Sequence, residues 1–423
     1  MVIRAIMLLL LMSVSVLIPV AAVLANHNRI ARRTEFQPAT AQTGEAANPI
    51  TAHPEDYVFV GGQNGSWFGP GQFPLLYQIS LADHYAIPLD PVKSGGTVWG
   101  GGVNGSQMLV SGWGSDDHSN GPYIWLYNGA HVVTRGSLDD YGNASSWNGG
   151  DIFAASYNGK EWLISGLGSG PLIRYSNDPV NHMSLGTFNG TTFRDLSNLV
   201  PDQQDAILYA NSWNGQYWLV GGGYVDVGIL FTYDGSKIAN LTSRAMNAIS
   251  GFGSVQAIAW NGEYWLIGGV GFLAKYDGRS FVDLTLGLEH SLSTYDFDSV
   301  NAIAWNGESW MIGGGAPIAE LFPSNAWLVS YDSNGFHNLS SRLPSYISNT
   351  DSSILAITCT NGIWLLGGYS SRNGILLAYN DGILTDYSSL VGDFTYVDWV
   401  STLQVLGSGK VDYGLQPRIS LIE

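Results

Sequence analysis

Residues Val255 to Thr285 read VQAIAWNGEYWLIGGVGFLAKYDGRSFVDLT. Four short apolar segments alternate there with tight-turn signals. Gln256 to Trp260 runs into Asn261-Gly262, and Glu263 to Ile267 ends at Gly268-Gly269. Phe272 to Tyr276 closes at Asp277-Gly278, and Ser280 to Leu284 leads into Thr285. Such segments are too short for helices, so the unit reads as four antiparallel strands. Asn261-Gly262 and Asn306-Gly307 predict two-residue type I′ hairpins with positive φ at both residues, since Asn tolerates that region and Gly enters it freely. The first two segments are apolar on both faces, as in a strand sandwiched between other sheets.

The unit repeats. VNAIAWNGESWMIGGG starts at Val300 and ILYANSWNGQYWLVGGG at Ile207, with weaker copies from Val98, Phe153 and Leu355. The Asn-Gly pairs begin at Asn104, Asn158, Asn214, Asn261, Asn306 and Asn361, at intervals of 45 to 56 residues. A period in that range marks an array of supersecondary units. The fold expected is an all-β propeller of four-stranded antiparallel blades. The stretch from Asp56 onward holds about seven such units. Six are complete, and a seventh would be assembled from both ends of the chain, which removes free sheet edges. Seven blades are favoured; eight, two of them short, is the alternative.

A Gly-Gly pair, a Tyr-Asp and then an aromatic recur in fixed order. Gly268-Gly269 goes with Tyr276-Asp277 and Phe281, and Gly313-Gly314 with Tyr331-Asp332 and Phe336. Gly221-Gly222 goes with Tyr233-Asp234, and Gly367-Gly368 in part with Tyr379. In this order the chain resembles the kelch-like propeller repeat family over most of residues 56–423. It departs from that family in carrying Phe or Ile where Trp is usual, and in its Trp-Asn-Gly turns. The resemblance implies the fold and leaves activity open, because such propellers bind, scaffold or catalyse. The copper-radical chemistry found on one such propeller needs a Tyr joined to a Cys beside the metal. Here the single cysteine, Cys359, falls within a predicted core strand.

Composition agrees with the strand reading and narrows the partners. Only 12% of residues are charged, while 54 are Gly and 37 are Trp or Tyr, a profile of short strands and tight turns rather than helices or disorder. The net charge of −17 repels phosphate backbones, so nucleic acid is not an expected partner. One cysteine excludes an intramolecular disulfide and a Cys-based zinc site. At the N-terminus, Arg4 precedes an apolar run from Ala5 to Leu24. Residues 1–25 therefore read as a cleaved signal peptide or, alternatively, as an uncleaved anchor and the sole membrane contact. Residues 26–55, rich in Ala, Thr, Gln, Asn and Pro, read as a flexible linker, and 56–423 as the propeller. A secreted or cell-surface location follows as an expectation.

The recurring Trp162, Trp218, Trp265, Trp310 and Trp364 are expected to pack between blades, because they share one repeat position. Ligand-binding aromatics are sought instead in irregular stretches. The segment Gly112 to Tyr127 reads as a long loop carrying Trp113, Tyr123 and Trp125, and Trp147 lies in another. Asp116 and Asp117 are weak candidates for binding Ca²⁺, without the alternating ligand spacing of a calcium loop, and no other cofactor is expected. Six Asn-x-Ser/Thr sequences, at Asn64, Asn104, Asn143, Asn189, Asn240 and Asn338, are glycosylation candidates. No residues stand out as catalytic. The function expected is an exported, non-catalytic recognition or surface-scaffold propeller binding extracellular carbohydrate or protein. The alternative is an extracellular polysaccharide hydrolase or lyase with its active site at the channel mouth.

Overall fold

The computed structural model describes most of residues 57–404. Residues 1–56 and 405–423 lie outside the described residues, as do several connections, the longer ones being 65–72, 89–95, 116–119, 169–181, 317–323 and 392–396. The signal or anchor segment and the linker therefore fall outside them. Among the described residues no helix is long and apolar enough to cross a membrane.

Seven four-stranded antiparallel blades form the propeller. Their inner strands are Gly96–Val103, Asp151–Tyr157, Ile207–Trp213, Val255–Trp260, Ser299–Trp305, Ser352–Thr360 and Val397–Gln404, in blades one to seven. Each inner strand packs beside the inner strand of the next blade, and the last packs beside the first. Blades five and six also touch through one residue pairing, Gly315 with Ser353. Blade seven joins the two chain ends: Val397–Gln404 pairs with Tyr57–Asn64, which is followed by Phe73–Ser80 and Tyr85–Pro88. This closure settles the blade number at seven. It also means that residue 57 enters, and residue 404 leaves, at the end of the ring that carries the first hairpin turns.

One irregularity recurs in every blade. The pairing between inner and second strands shifts by a residue at Val98/Gly100, Ile152/Ala154, Leu208/Ala210, Val255/Ala257, Val300/Ala302 and Ile354/Ala356. The closing blade shifts at the matching place, between Gly61 and Gly62. Each shift is a β-bulge that leaves one extra residue on the inner strand and bends it locally. The Gly-Gly pair lies directly opposite. A Cβ on Gly268 would come within 2.4 Å of the Val300 side chain in the next blade, and one on Gly269 within 2.0 Å of the Ser254 carbonyl oxygen. One glycine therefore admits the neighbouring blade, and the other admits the bulged strand of its own.

The turns correct one expectation. Asn261 and Asn306 do not have positive φ; Gly262 and Gly307 do, at 98° and 99°. The two-residue turn is shifted by one position, to Gly262-Glu263, with Asn261 N–H donating to the Tyr264 carbonyl at 3.3 Å. Asn261 Oδ1 accepts the Glu263 and Tyr264 N–H groups at 2.9 and 2.8 Å. The Asn side chain thus replaces a backbone acceptor, and positive φ falls on the glycine of the pair alone. The type I′ reading holds at Asn361-Gly362, where φ is 47° and 79°.

A second device closes the outer edge of five blades. In Asp283-Leu284-Thr285, Asp283 Oδ1 accepts the Thr285 N–H at 2.9 Å. Thr285 Oγ1 accepts the Leu273 N–H at 3.2 Å and donates to the Leu273 carbonyl at 3.4 Å. The same lock is made by Asp195-Leu196-Ser197, Asn240-Leu241-Thr242, Asn338-Leu339-Ser340 and Asp386-Tyr387-Ser388. The recurring tryptophans are buried between blades, and three of them pair across the hairpin with a second tryptophan, as in Trp260–Trp265 at 4.3 Å. In blade six the cross-strand partner of Trp364 is Cys359, which is half-buried rather than sealed in the core.

Two substitutions separate these constraints. Gly268→Ala forces the blade interface apart and is expected to lower stability by about 1–3 kcal/mol in denaturant unfolding. Gly262→Ala strains only the turn, at about 1 kcal/mol. An equal or inverted order would show that the interface is looser than described.

Candidate functional site

The bulges set one extra residue apart on the inner strand of each of blades one to six, near the end where that strand begins. The extra residues in blades one to six are Trp99, Phe153, Tyr209, Gln256, Asn301 and Leu355, all buried. Two positions earlier on the same strands stand Thr97, Asp151, Ile207, Ser254, Ser299 and Ser353, also buried.

The ring has two unlike arcs. In blades one to three the bulge residues are aromatic: Trp99 and Phe153 lie 5.2 Å apart by ring centroids, and Phe153 and Tyr209 also 5.2 Å. With Leu167 and Ile207 they form one apolar cluster. Blades four to six are largely polar. Gln256 Nε2 donates to Ser254 Oγ at 3.0 Å. Asn301 Nδ2 donates to Ser353 Oγ of the next blade at 2.9 Å and to the Ala316 carbonyl at 2.8 Å. Because that carbonyl can only accept, the amide orientation is determined, and Asn301 Oδ1 is left without a partner, as is Ser299 Oγ.

Asp151 sits at the edge of the aromatic arc. It is the only buried Asp or Glu among the described residues. Burial pushes its carboxyl up to about 7, and the Trp99 side chain on the preceding blade acts in the opposite, smaller sense. Asp151 Oδ1 has no hydrogen-bond partner among the described residues. A carboxyl so placed is close to half protonated at neutral pH, and can both give and take a proton there.

The aromatic residues chosen from sequence are placed elsewhere. Gly112 to Tyr127 is not a long loop: its two sides are strands, Met108–Ser115 and Asn120–Tyr127. Tyr123 and Trp125 are 4% and 2% exposed and pack on each other at 4.8 Å. Trp147, fully buried in a single turn of 3₁₀ helix, stands edge-on to Phe193 at 6.0 Å. These three are core residues: Tyr123 and Trp125 belong to an apolar cluster of the first blade, and Trp147 to one shared by the first and second blades. Trp113 alone stays half-buried, paired across the sheet with Thr97 of the ring. Asp116 and Asp117 lie outside the described residues. Among the described residues no three His, Cys, Asp or Glu side chains gather as a metal site.

Asp151, Trp99 and Asn301 went unnoticed in the sequence. Their one signal is positional: Asp151 stands where other copies have Thr, Ile or Ser, and an aligned repeat exposes it only once the bulge is known.

No protein-family model matches the chain, and no curated protein matches it in sequence. Solved structures do. The chain is similar to the β-propeller domain of the Trilobed protease from Pyrococcus furiosus, at 11% identity and a TM-score of 0.46, over 80% of this chain and 93% of that one. That domain has an open velcro topology, whereas here the ring closes by strand pairing. An acylaminoacyl peptidase solved with a chloromethyl ketone is similar at 10% identity and a TM-score of 0.47, over 80% of this chain and 51% of that one. The Pyrococcus horikoshii acylaminoacyl peptidase is similar at 10% identity and 0.46, over 81% and 52%. The chain thus spans about half the length of these two peptidases, and the likeness extends to the fold alone. All three propellers occur in peptidases. Their names stand against the expectation of a non-catalytic recognition or scaffold protein, and at this likeness they speak for the fold of this chain alone.

The raised Asp151 carboxyl has a thermodynamic signature. The ordinary value is 3.8 and the folded value about 7, so between them the folded chain holds a proton that the unfolded chain releases. The stability this confers is fully present below pH ~4 and is lost as pH rises through about 7. Asp151→Asn, which cannot ionise, is expected to match the parent near pH 4 and to exceed it near pH 8 by on the order of 2–4 kcal/mol. A stability difference that does not vary with pH would place the carboxyl in water.

Proposed function

We propose that this propeller is a hydrolase whose acid–base group is Asp151, acting at the channel end where the inner strands begin. One observation carries the reading: a single enclosed carboxyl, held near neutrality, in a ring position that the other described blades fill with neutral side chains. A buried ionisable group of this kind costs stability, and Asp151 Oδ1 has no hydrogen-bond partner among the described residues to offset that cost. The neutral acid can protonate a leaving oxygen or nitrogen. The carboxylate left behind can then accept a proton from the attacking water, which restores the starting state. The apolar arc lowers the local dielectric around that exchange. The unpartnered oxygens of Asn301 and Ser299 are acceptors suited to a neutral, donor-rich substrate such as a sugar or an amide.

The Gly-Gly pairs and Tyr-Asp turns support a kelch-like origin for the blades. The apolar run from Ala5 to Leu24 supports placing the activity on the exported side of a membrane, where polysaccharide and peptide are both at hand.

The test is hydrolysis by the full chain of a panel of polysaccharides and blocked peptides, followed from pH 4 to 9. The expected profile has a limb with an apparent pKa near 7, and Asp151→Asn lowers kcat by about 10²-fold or more while remaining folded. Undiminished turnover in Asp151→Asn, or no turnover on any member of the panel, would overturn the assignment.

A further inference from the structure

The fold treats the Asn-x-Ser/Thr sequences unequally. Oligosaccharide transfer to Asn needs an accessible Nδ2 and a Ser or Thr hydroxyl, two residues on, that is available to the amide side chain. At Asn240 and Asn338 that hydroxyl is already engaged. Thr242 Oγ1 accepts the Leu230 N–H at 3.0 Å and donates to the Leu230 carbonyl at 3.2 Å. Ser340 Oγ does the same with Leu328, at 3.1 and 3.3 Å. Asn338 Nδ2 also donates to the Ser291 carbonyl at 3.0 Å. The same lock in three other blades uses Asp195, Asp283 and Asp386, so these two sequences are Asn forms of a structural turn. At Asn104 both side-chain atoms are tied to Gln107, with Oδ1 accepting its backbone N–H and Nδ2 donating to its Oε1 at 3.2 Å. The Asn64 side chain lies outside the described residues.

Asn189 differs. Asn189 and Thr191 are both exposed, in the hairpin between Phe188 and Phe193. Thr191 Oγ1 donates to Asn189 Oδ1 at 3.1 Å, so the hydroxyl already rests on the amide it must serve. The backbone N–H groups of Thr191 and Thr192 donate to the same oxygen at 3.0 and 2.9 Å. The amide is held by its oxygen, and Nδ2 makes no hydrogen bond among the described residues. Asn143 and Ser145 are exposed too, but there Oδ1 is met only by the Ser145 backbone N–H, at 3.1 Å.

We propose that Asn189 is the principal N-glycosylation site of the folded protein, and that Asn240 and Asn338 are closed to modification by the blade lock. In the transfer, Asn189 Nδ2 bonds to C1 of an oligosaccharide carried on a polyprenyl diphosphate. The C1–O bond to the diphosphate breaks, the polyprenyl diphosphate departs, and the amide proton passes to a base of the transferase.

The experiment uses the full chain, folded or urea-unfolded and freshly diluted. Each form is incubated with a single-subunit oligosaccharyltransferase and a polyprenyl-diphosphate oligosaccharide, and occupancy is mapped by peptide mass spectrometry. The folded chain should carry glycan at Asn189 with at least tenfold higher occupancy than at Asn240 or Asn338, and Thr191→Ala should abolish it. The unfolded chain should be modified at all three. Equal occupancy at Asn189, Asn240 and Asn338 in the folded chain would overturn the proposal. So would an Asn189 left bare in the folded chain, whether or not the unfolded chain is modified there.

Discussion

Close approach between neighbouring inner strands governs this molecule. Neighbouring blades meet closely enough that glycines stand at the contact, against backbone between blades one and two and against Val or Ile side chains farther round. A Cβ on Gly100 would lie 2.3 Å from the Phe153 carbonyl oxygen of the next blade, and Gly221, Gly268 and Gly313, on the second strands, meet the side chains of Val255, Val300 and Ile354 on the next blade's inner strand. Interiors this tightly packed transmit any added methyl as strain. The residue after each bulge is accordingly Gly or Ala in all six complete blades.

That closeness also generates the site. A strand pressed against its neighbour on one side and paired on the other has no spare face, and the bulge creates one by inserting a residue that the ladder does not use. Six such residues stand near the ends where the inner strands begin, and their chemistry varies from blade to blade. Three became aromatic and two became amides. Asn301 reaches the Ser353 hydroxyl of the next blade, and Trp99 is the matching bulge residue on the blade before Asp151. Of the six buried positions two residues before a bulge, one carries a carboxyl. Its position beside the aromatic arc raises its pKa; the same carboxyl in the exposed turn at Asp277 is instead lowered, by hydrogen bonds from the Ser280 and Arg279 backbone.

The periphery is built on a different principle. Turns and blade edges are held by short polar side chains that replace backbone partners: Asn261 Oδ1 caps its hairpin, and Thr285 Oγ1 bridges both polar groups of Leu273. Each device is local, needs only a few residues, and is indifferent to Asn or Asp. Sequences that resemble modification sites arise from it as a by-product, so hydroxyl engagement tells a structural Asn-Leu-Thr from an exposed Asn-Gly-Thr.

Much of the architecture was written in the local sequence. Four apolar segments between turn signals, the Gly-Gly pair and the buried tryptophan column at Trp218, Trp265 and Trp310 depend on periodicity and sterics within about thirty residues, and a reading of one strand at a time recovers them. The seven-fold closure was legible as a count of repeats. What lay beyond that reach depends on pairs of strands. A bulge is a difference in register between two strands and leaves no mark on either alone, so Asp151, Trp99 and Asn301 could not be assembled in advance. The same holds for Tyr123, Trp125 and Trp147, whose sequence is irregular while their environment is core. It holds for Asn261 too, where hydrogen bonds accepted by its side-chain oxygen moved the turn by one residue. Local propensity decided which elements form. Only the tertiary structure decided which residues the bulges set apart and bury, because that depends on how two strands pair and how closely one blade admits the next.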